Sequence, residues 1–122
     1  MFNQQLIYIF EKFGSKIGTA YDPEKRMKSF IGNQLSNLHF MIFKVKSPDF
    51  DAAGLESTIK HLLKDQRVNP ISLASFCKEN DLNYIPHTET FDMNLAALFL
   101  QITDICPQIE LVKMNCPDTV AA

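Results

Sequence analysis

The sequence lacks most of the motifs that would place it directly in a functional class. No stretch approaches the ~20 apolar residues that a membrane-spanning helix needs, and the longest apolar runs are only six residues long. The four glycines are isolated, so no glycine-rich phosphate-binding loop is present. The three cysteines form no C-x-x-C pair and the three histidines are scattered. We therefore predict no cofactor, no metal ligand and no catalytic residue.

The charge is nearly balanced overall but unevenly distributed. The formal net charge is −2, without the basic excess that usually accompanies nucleic-acid binding, so a nucleic-acid partner is not favoured. Residues 1–46 carry seven basic and three acidic residues, a sum of +4, and residues 47–122 carry five and eleven, a sum of −6. Such polarity is typical either of internal pairing and solubility or of an acidic docking face for a basic partner.

Length and composition predict a single domain over residues 1–122, with a frayed tail at 117–122. Hydrophobic residues make up 46% and charged residues 21% of the 122, which is ordinary globular composition. The ten phenylalanines and the absence of tryptophan indicate core filling. An odd number of cysteines without a secretion signal predicts a cytoplasmic protein, and a protein translocated into a host cell would share these features.

The hydrophobic pattern predicts an all-α fold, a compact bundle of about five helices. Apolar residues at helical spacing indicate a first helix over about residues 3–17. Helix-start signals at Asp22-Pro23, Ser47-Pro48-Asp49 and Asn69-Pro70 begin three more. A heptad-like seam from Phe91 to Ile105 indicates the fifth helix, and it favours a homodimer. The alternative is an α+β fold with short strands near 38–45 and 109–114, because short apolar runs are ambiguous.

Two chemical interpretations compete with a purely structural one. Cys77, His87 and Asp92 lie in one region of the sequence and could form a cysteine-dependent enzyme, although Cys77 falls on an apolar helix face where cysteine is usually buried. Residues 72–82 resemble the first helix and turn of a helix-turn-helix, which would extend to about residue 92 in a small DNA-binding regulator. The acidic residues beyond it oppose DNA binding. Neither pattern is specific, and we predict that the protein is not an enzyme.

Protein binding is the function that the sequence favours. Two helices that are apolar on most of their circumference leave more hydrophobic surface than one small core requires. The aromatic and polar loop around residues 80–92 is the best candidate contact, because loops on rigid scaffolds often carry function. The predicted partner-binding residues in this loop are Tyr84, Ile85, His87, Glu89 and Asp92.

In size and composition the chain resembles the small partner proteins of bacterial pathogens, such as secretion chaperones, immunity proteins and effector inhibitors. It is most similar to the small helical Legionella inhibitors of ubiquitin-deamidase and transglutaminase effectors. The resemblance covers the general character of the chain and transfers no functional residue. It implies a non-enzymatic inhibitor that occludes the substrate site of a bacterial effector enzyme.

Overall fold

The computed structural model describes residues 4–117, which form a five-stranded antiparallel sheet with helices on both faces. The strands are β1 (Leu6–Glu11), β2 (Ser15–Ala20), β3 (His39–Val45), β4 (Thr90–Phe91) and β5 (Ile109–Asn115). The helices are α1 (Pro23–Ile31), α2 (Ala52–Leu62), α3 (Pro70–Glu79) and α4 (Leu95–Ile105). Short 3₁₀ turns cover Gly32–Asn37, Lys64–Gln66 and His87–Glu89. No helix within residues 4–117 is both long and apolar enough to cross a bilayer.

The prediction of an all-α bundle is wrong, most clearly at the N-terminus. Residues assigned to a first helix at 3–17 instead form the β1–β2 hairpin. β1 is covered on both faces, so Leu6–Phe10 are all buried and show no alternation. A strand of this kind has the same short apolar run as a buried helix, and spacing alone does not separate them. Gly14, at φ 75°, makes the hairpin turn, where a Cβ would lie 2.3 Å from the Phe91 carbonyl oxygen.

The second helix is also shorter than the segment over which apolar residues recur at helical spacing. It begins at the predicted place, where Asp22 accepts a hydrogen bond from the Lys25 amide and Pro23 occupies the first turn. It ends at Gly32, which has φ 63°. The segments proposed as alternative strands, near 38–45 and 109–114, are strands β3 and β5.

The start signal before the fourth predicted helix is confirmed, because Asn69 caps α3. The third predicted helix is present, but it begins after the predicted signal at Ser47-Pro48-Asp49, where Asp51 caps α2 by accepting from the Gly54 amide. The fifth helix begins later than its seam suggests, because Phe91 belongs to β4 and Asn94 caps α4. Of the predicted frayed tail at 117–122, residues 118–122 lie outside the described residues.

The helix-turn-helix prediction is contradicted. α3 supplies a first helix, but the chain after it is not helical from Leu82 to Pro86 and makes only a 3₁₀ turn at His87–Glu89. The required second helix from about Asn83 is therefore not formed. Pro86 contributes to this outcome, because a proline disfavours helical conformation in the residue before it.

The strand order is β4-β2-β1-β3-β5, and each neighbouring pair is antiparallel. One face packs against α1 and α3, through a core that includes Tyr8, Phe10 and Phe30. The opposite face packs against α2 and α4, through a core that includes Ile9 and Phe43. β4 pairs with β2 only at Ser15 and Lys16, so the outer edge of β2 from residue 18 onward has no strand partner among the described residues.

Candidate functional site

Six polar side chains meet around the outer edge of β2, and we call them the β2-edge cluster. They come from both helical layers as well as from the sheet. They are Tyr8, Lys16, Arg26, Glu56, Lys60 and Glu89. Five of these six residues are charged, and polar groups gathered in partly buried surroundings are typical of functional sites.

Tyr8 lies across β2 because its cross-strand partner is Gly18. The two residues are directly opposite in the β1–β2 pairing. A Cβ at position 18 would lie 2.2 Å from the Tyr8 hydroxyl oxygen, so any larger residue would displace the ring. The Tyr8 side chain is 1% exposed. Gly18 therefore determines where the Tyr8 hydroxyl lies.

Lys16 is the most unusual member of the cluster because its side chain is only 1% exposed. Its ammonium donates to Glu89 Oε1 at 2.8 Å, to the Ile17 carbonyl at 2.9 Å and to the Tyr8 hydroxyl at 3.4 Å. The same nitrogen lies 4.9 Å from the centre of the Phe30 ring. A buried ammonium is costly unless it is paired and hydrogen-bonded, and each of its three donors has a partner here.

Glu89 is brought to Lys16 by the turn that precedes β4. The Glu89 amide donates to the Pro86 carbonyl at 3.2 Å, and the Thr90 hydroxyl donates to the same oxygen at 2.8 Å. The Val68 amide then donates to the Thr90 carbonyl at 3.0 Å, which ties the turn to the loop before α3. These bonds hold the Glu89 carboxylate at the boundary of the core, where its side chain is 25% exposed.

Lys60 links the cluster to the other face of the sheet. Its ammonium lies 3.7 Å from Glu89 Oε2 and 3.6 Å from Glu56 Oε2. Glu56 precedes it by one turn of α2 and accepts from the Thr19 hydroxyl at 2.9 Å. Lys60 is 32% exposed and its contacts are longer than those of Lys16, so it is the more easily displaced of the two cations on Glu89.

Burial sets the proton affinities at the centre of the cluster. It raises the pKa of Tyr8 to about 12, although the neighbouring Arg26 guanidinium acts in the opposite direction. Burial also lowers the pKa of Lys16, against the opposing effect of the Glu89 carboxylate. The two shifts have opposite signs because burial favours the neutral form of each group.

We expect the Tyr8 phenol to titrate near pH 12. The measurement is the ultraviolet absorbance of the phenolate during alkaline titration, taken as the difference between the unsubstituted protein and Tyr8→Phe. Tyr84→Phe, which removes the hydroxyl of a 69% exposed ring, is the control for the loss of one phenol. A difference curve centred near the ordinary value of 10 would show that the Tyr8 hydroxyl is not buried.

The structure separates the five residues predicted to bind a partner. Tyr84 is exposed, whereas Ile85 is 1% exposed and lies in the core with α1 and α3. His87 is half-buried in the 3₁₀ turn, and Asp92 is exposed at the end of β4. Glu89 is the one predicted residue that belongs to the β2-edge cluster. The assignment of a partner-binding surface to this loop stays a prediction.

Cys77 has the structural role that its apolar neighbours indicated. Its side chain is 5% exposed and lies in the core with Leu73 and Ile85. Cys106 is also buried, and Cys116 is exposed. Burial among apolar groups shields the Cys77 thiol from solvent and substrate, which is the usual setting of a cysteine that acts as a small hydrophobic residue.

A family model described as the T5orf172 domain matches residues 5–106. The chain belongs to the T5orf172 domain family. The matched range contains the whole β2-edge cluster and ends before β5. No curated protein and no solved structure matches this T5orf172 domain. None of these findings bears on the resemblance to effector inhibitors, which stays a prediction.

Within the described residues, the β2-edge cluster contains no cage of protein ligands for a divalent cation. Within the described part of the chain, no three His, Cys, Asp or Glu residues are grouped as a metal site. Mg²⁺ does not need such a group, because it commonly uses one or two carboxylates together with water and substrate phosphates. Glu89 Oε2 would fit this role if Lys60, which lies 3.7 Å from it, kept only its contact with Glu56 Oε2 at 3.6 Å.

Sequence reasoning missed Tyr8, Lys16 and Arg26 because it placed the first two on a helix. If residues 15–20 are read as a strand, Lys16 and Gly18 point to the same face as Phe10 and Tyr8. A lysine on a core-facing strand position conflicts with the hydrophobic pattern, and such conflicts are expected at functional sites. A lysine at a core-facing strand position was therefore the feature of the sequence that could have indicated the site.

Proposed function

We propose that this T5orf172 domain is a nuclease-like enzyme that hydrolyses phosphodiester bonds of nucleic acid at the β2-edge cluster. The observation that carries the proposal is the buried Lys16 ammonium, held between the Tyr8 hydroxyl at 3.4 Å and Glu89 Oε1 at 2.8 Å. A structural ion pair does not need a tyrosine hydroxyl and an exposed arginine beside it. Hydrolysis of a phosphodiester needs both a proton acceptor and positive charge.

The residues of the cluster that take part in the proposed reaction have separate roles. The step requires Lys16 to have first released one proton to solvent, which leaves a lone pair on its nitrogen beside the Tyr8 hydroxyl. A water molecule then attacks phosphorus and passes its proton to the Tyr8 oxygen, while the Tyr8 proton moves to that lone pair. Arg26 offsets the charge that develops on the phosphate oxygens. Glu89 would hold a divalent cation, which would supply Lewis-acid polarisation of the phosphate when bound. The ester bond breaks, and the leaving oxygen takes a proton from solvent.

Burial makes Lys16 better suited to accept a proton from Tyr8. A lysine at its ordinary pKa holds its proton at neutral pH and cannot accept another. The lowered pKa of Lys16 increases the fraction of the neutral amine. Tyr8 alone would be a weak base because its pKa is raised, so the pair acts as one relay.

The surface beside the cluster is suited to a polyanion despite the net charge of −2. Lys25, Arg26 and Lys28 are all exposed on α1. A surface pocket of about 270 Å³ is lined by Ala20, Asp22, Lys25, Arg26 and Ser29. Two exposed cations, Lys25 and Arg26, therefore line a pocket next to the proposed site, where they can attract phosphates.

The test is cleavage of labelled single-stranded and double-stranded DNA and RNA by the purified chain with Mg²⁺ or Mn²⁺. We expect cleavage that a chelator abolishes and that Arg26→Ala slows by about 10²- to 10³-fold, as removal of one charge-stabilising donor does elsewhere. Lys25→Ala is the matched control, because Lys25 is an adjacent exposed cation outside the cluster, and it should change the rate by only a few fold.

Equal rates for the two variants would assign any activity to a contaminant or to another site. Absence of cleavage on every substrate would refute the proposal. The prediction of a non-enzymatic inhibitor with a protein partner would then be the remaining hypothesis.

A further inference from the structure

Beside the β2-edge cluster, one large aromatic side chain has no structural role that accounts for its position. Tyr84 is 69% exposed. It is not part of either core, and the segment that carries it leads directly to Glu89. An exposed aromatic ring of this size is more typical of a contact surface than of a neutral surface position.

The residues on either side fix the position of Tyr84. On one side, the Asn83 amide donates to the Phe30 carbonyl at 3.2 Å, and the Asn83 side chain donates to the Ser29 carbonyl. On the other side, Ile85 is buried in the core. Tyr84 is therefore presented to solvent by a backbone that is anchored both before and after it. Presentation of this kind reduces the entropy lost when the ring binds a ligand.

The anchors place Tyr84 near two of the exposed cations of α1. Ser29, whose carbonyl binds Asn83, also lines the 270 Å³ pocket together with Lys25 and Arg26. Five residues of chain span at most about 17 Å, and part of the segment between Tyr84 and Glu89 is a compact 3₁₀ turn. A stacked strand advances about 3.4 Å per nucleotide. Tyr84 thus lies within a few nucleotides of a phosphate bound at the cluster.

We propose that Tyr84 forms a base-stacking subsite for an unpaired nucleotide next to the phosphate bound at the β2-edge cluster. The cations of α1 contact the phosphate backbone of the nucleic acid, and the Tyr84 ring stacks on a base. Proteins that bind single-stranded nucleic acid combine these two kinds of contact. The proposal rests on the proposed function and adds to it a preference for single-stranded or frayed substrate. Stacking needs no particular base, so the subsite selects strandedness and not sequence.

The test measures binding, separately from cleavage, of a fluorescently labelled single-stranded DNA oligonucleotide in the presence of a chelator. We expect Tyr84→Ala to weaken binding by about 5- to 150-fold, the range for loss of one stacked base. Tyr84→Phe should bind within about 2-fold of the unsubstituted protein, because the ring and not the hydroxyl makes the contact. Tyr21→Ala is the matched control, since Tyr21 is also exposed but lies outside the segment.

A second oligonucleotide of the same length, with abasic sites throughout, separates stacking from other effects. On this ligand Tyr84→Ala and the unsubstituted protein should bind equally. An equal loss on both ligands, a loss for Tyr84→Phe as large as for Tyr84→Ala, or no binding of the normal oligonucleotide would each overturn the subsite. Tyr84-dependent binding without cleavage under any metal would support the subsite and refute the nuclease proposal. Cleavage together with oligonucleotide binding that Tyr84→Ala does not change would support the nuclease proposal and refute the subsite.

Discussion

Glu89→Gln is expected to lower the rate of metal-dependent cleavage by about 10³-fold. A carboxylate that binds a Lewis-acid metal supports several kcal/mol of charge stabilisation, and each 1.4 kcal/mol is a factor of ten in rate. An amide oxygen keeps the shape of the side chain and can still accept from Lys16, but it loses the negative charge. Both the cation affinity and the rate should therefore fall together.

The fold should survive this change at a moderate loss of stability. The Lys16 ammonium exchanges a charge-assisted bond for a neutral one, which costs about 1–3 kcal/mol. Binding of Mn²⁺ alone, followed by calorimetry, gives a readout that does not depend on turnover. Glu110→Gln is the matched control, because Glu110 is 54% exposed and, among the described residues, pairs only with Lys46 at 3.4 Å. Undiminished metal binding by Glu89→Gln would place the cation elsewhere.

Lys16→Met is expected to abolish most of the activity, by at least about 10²-fold, while leaving the protein as stable as before or slightly more stable. The rate falls because the relay loses its final proton acceptor. Stability is kept because methionine fills the same space without the desolvation of a buried charge, and Glu89 stays partly exposed and in contact with Lys60. Loss of several kcal/mol on urea unfolding would instead give Lys16 a structural role.

The pH dependence of stability should distinguish the two proteins. The pKa of Lys16 is lowered on folding, so the unfolded chain binds more protons than the folded one between that lowered value and 10.5. The unsubstituted protein therefore becomes more stable as pH rises through this window. Above pH 10 the raised pKa of Tyr8 acts in the opposite direction, because only the unfolded chain releases that proton readily. Lys16→Met lacks the first effect and keeps the second.

The parts of the fold that could be predicted were those with local causes. Helix caps are decided by side-chain chemistry within three residues, so the helix starts at Asp22 and Asn69 could be predicted, whereas the start of α2 at Asp51 was placed a few residues too early. The β1–β2 hairpin could not be predicted, because its strands are buried on both faces and their apolar residues do not alternate. What makes Leu6–Phe10 a strand is the pair of helical layers that pack on either side of it, and these come from distant sequence.

The candidate site could not be predicted from the sequence for a related reason. Lys16 and Glu89 are separated by 73 residues and meet only through the pairing of β2 with β4. β4 has two residues, and a strand this short leaves no periodic pattern. Glu89 entered the set of predicted contact residues only because its loop is polar. Its partners could be found once Lys16 was recognised as a core-facing lysine.

The late position of β4 in the chain has a consequence for the protein as it is being made. Tyr8, Lys16 and Arg26 leave the ribosome well before Glu89, and β4, which follows the turn that carries Glu89, pairs with β2 at two residue positions. On the proposed function, a nascent or locally opened chain holds no assembled site, since synthesis proceeds at about 5–20 residues per second and the final docking follows it. Chains that stop short of residue 89, or misfold there, would be harmless to nearby nucleic acid.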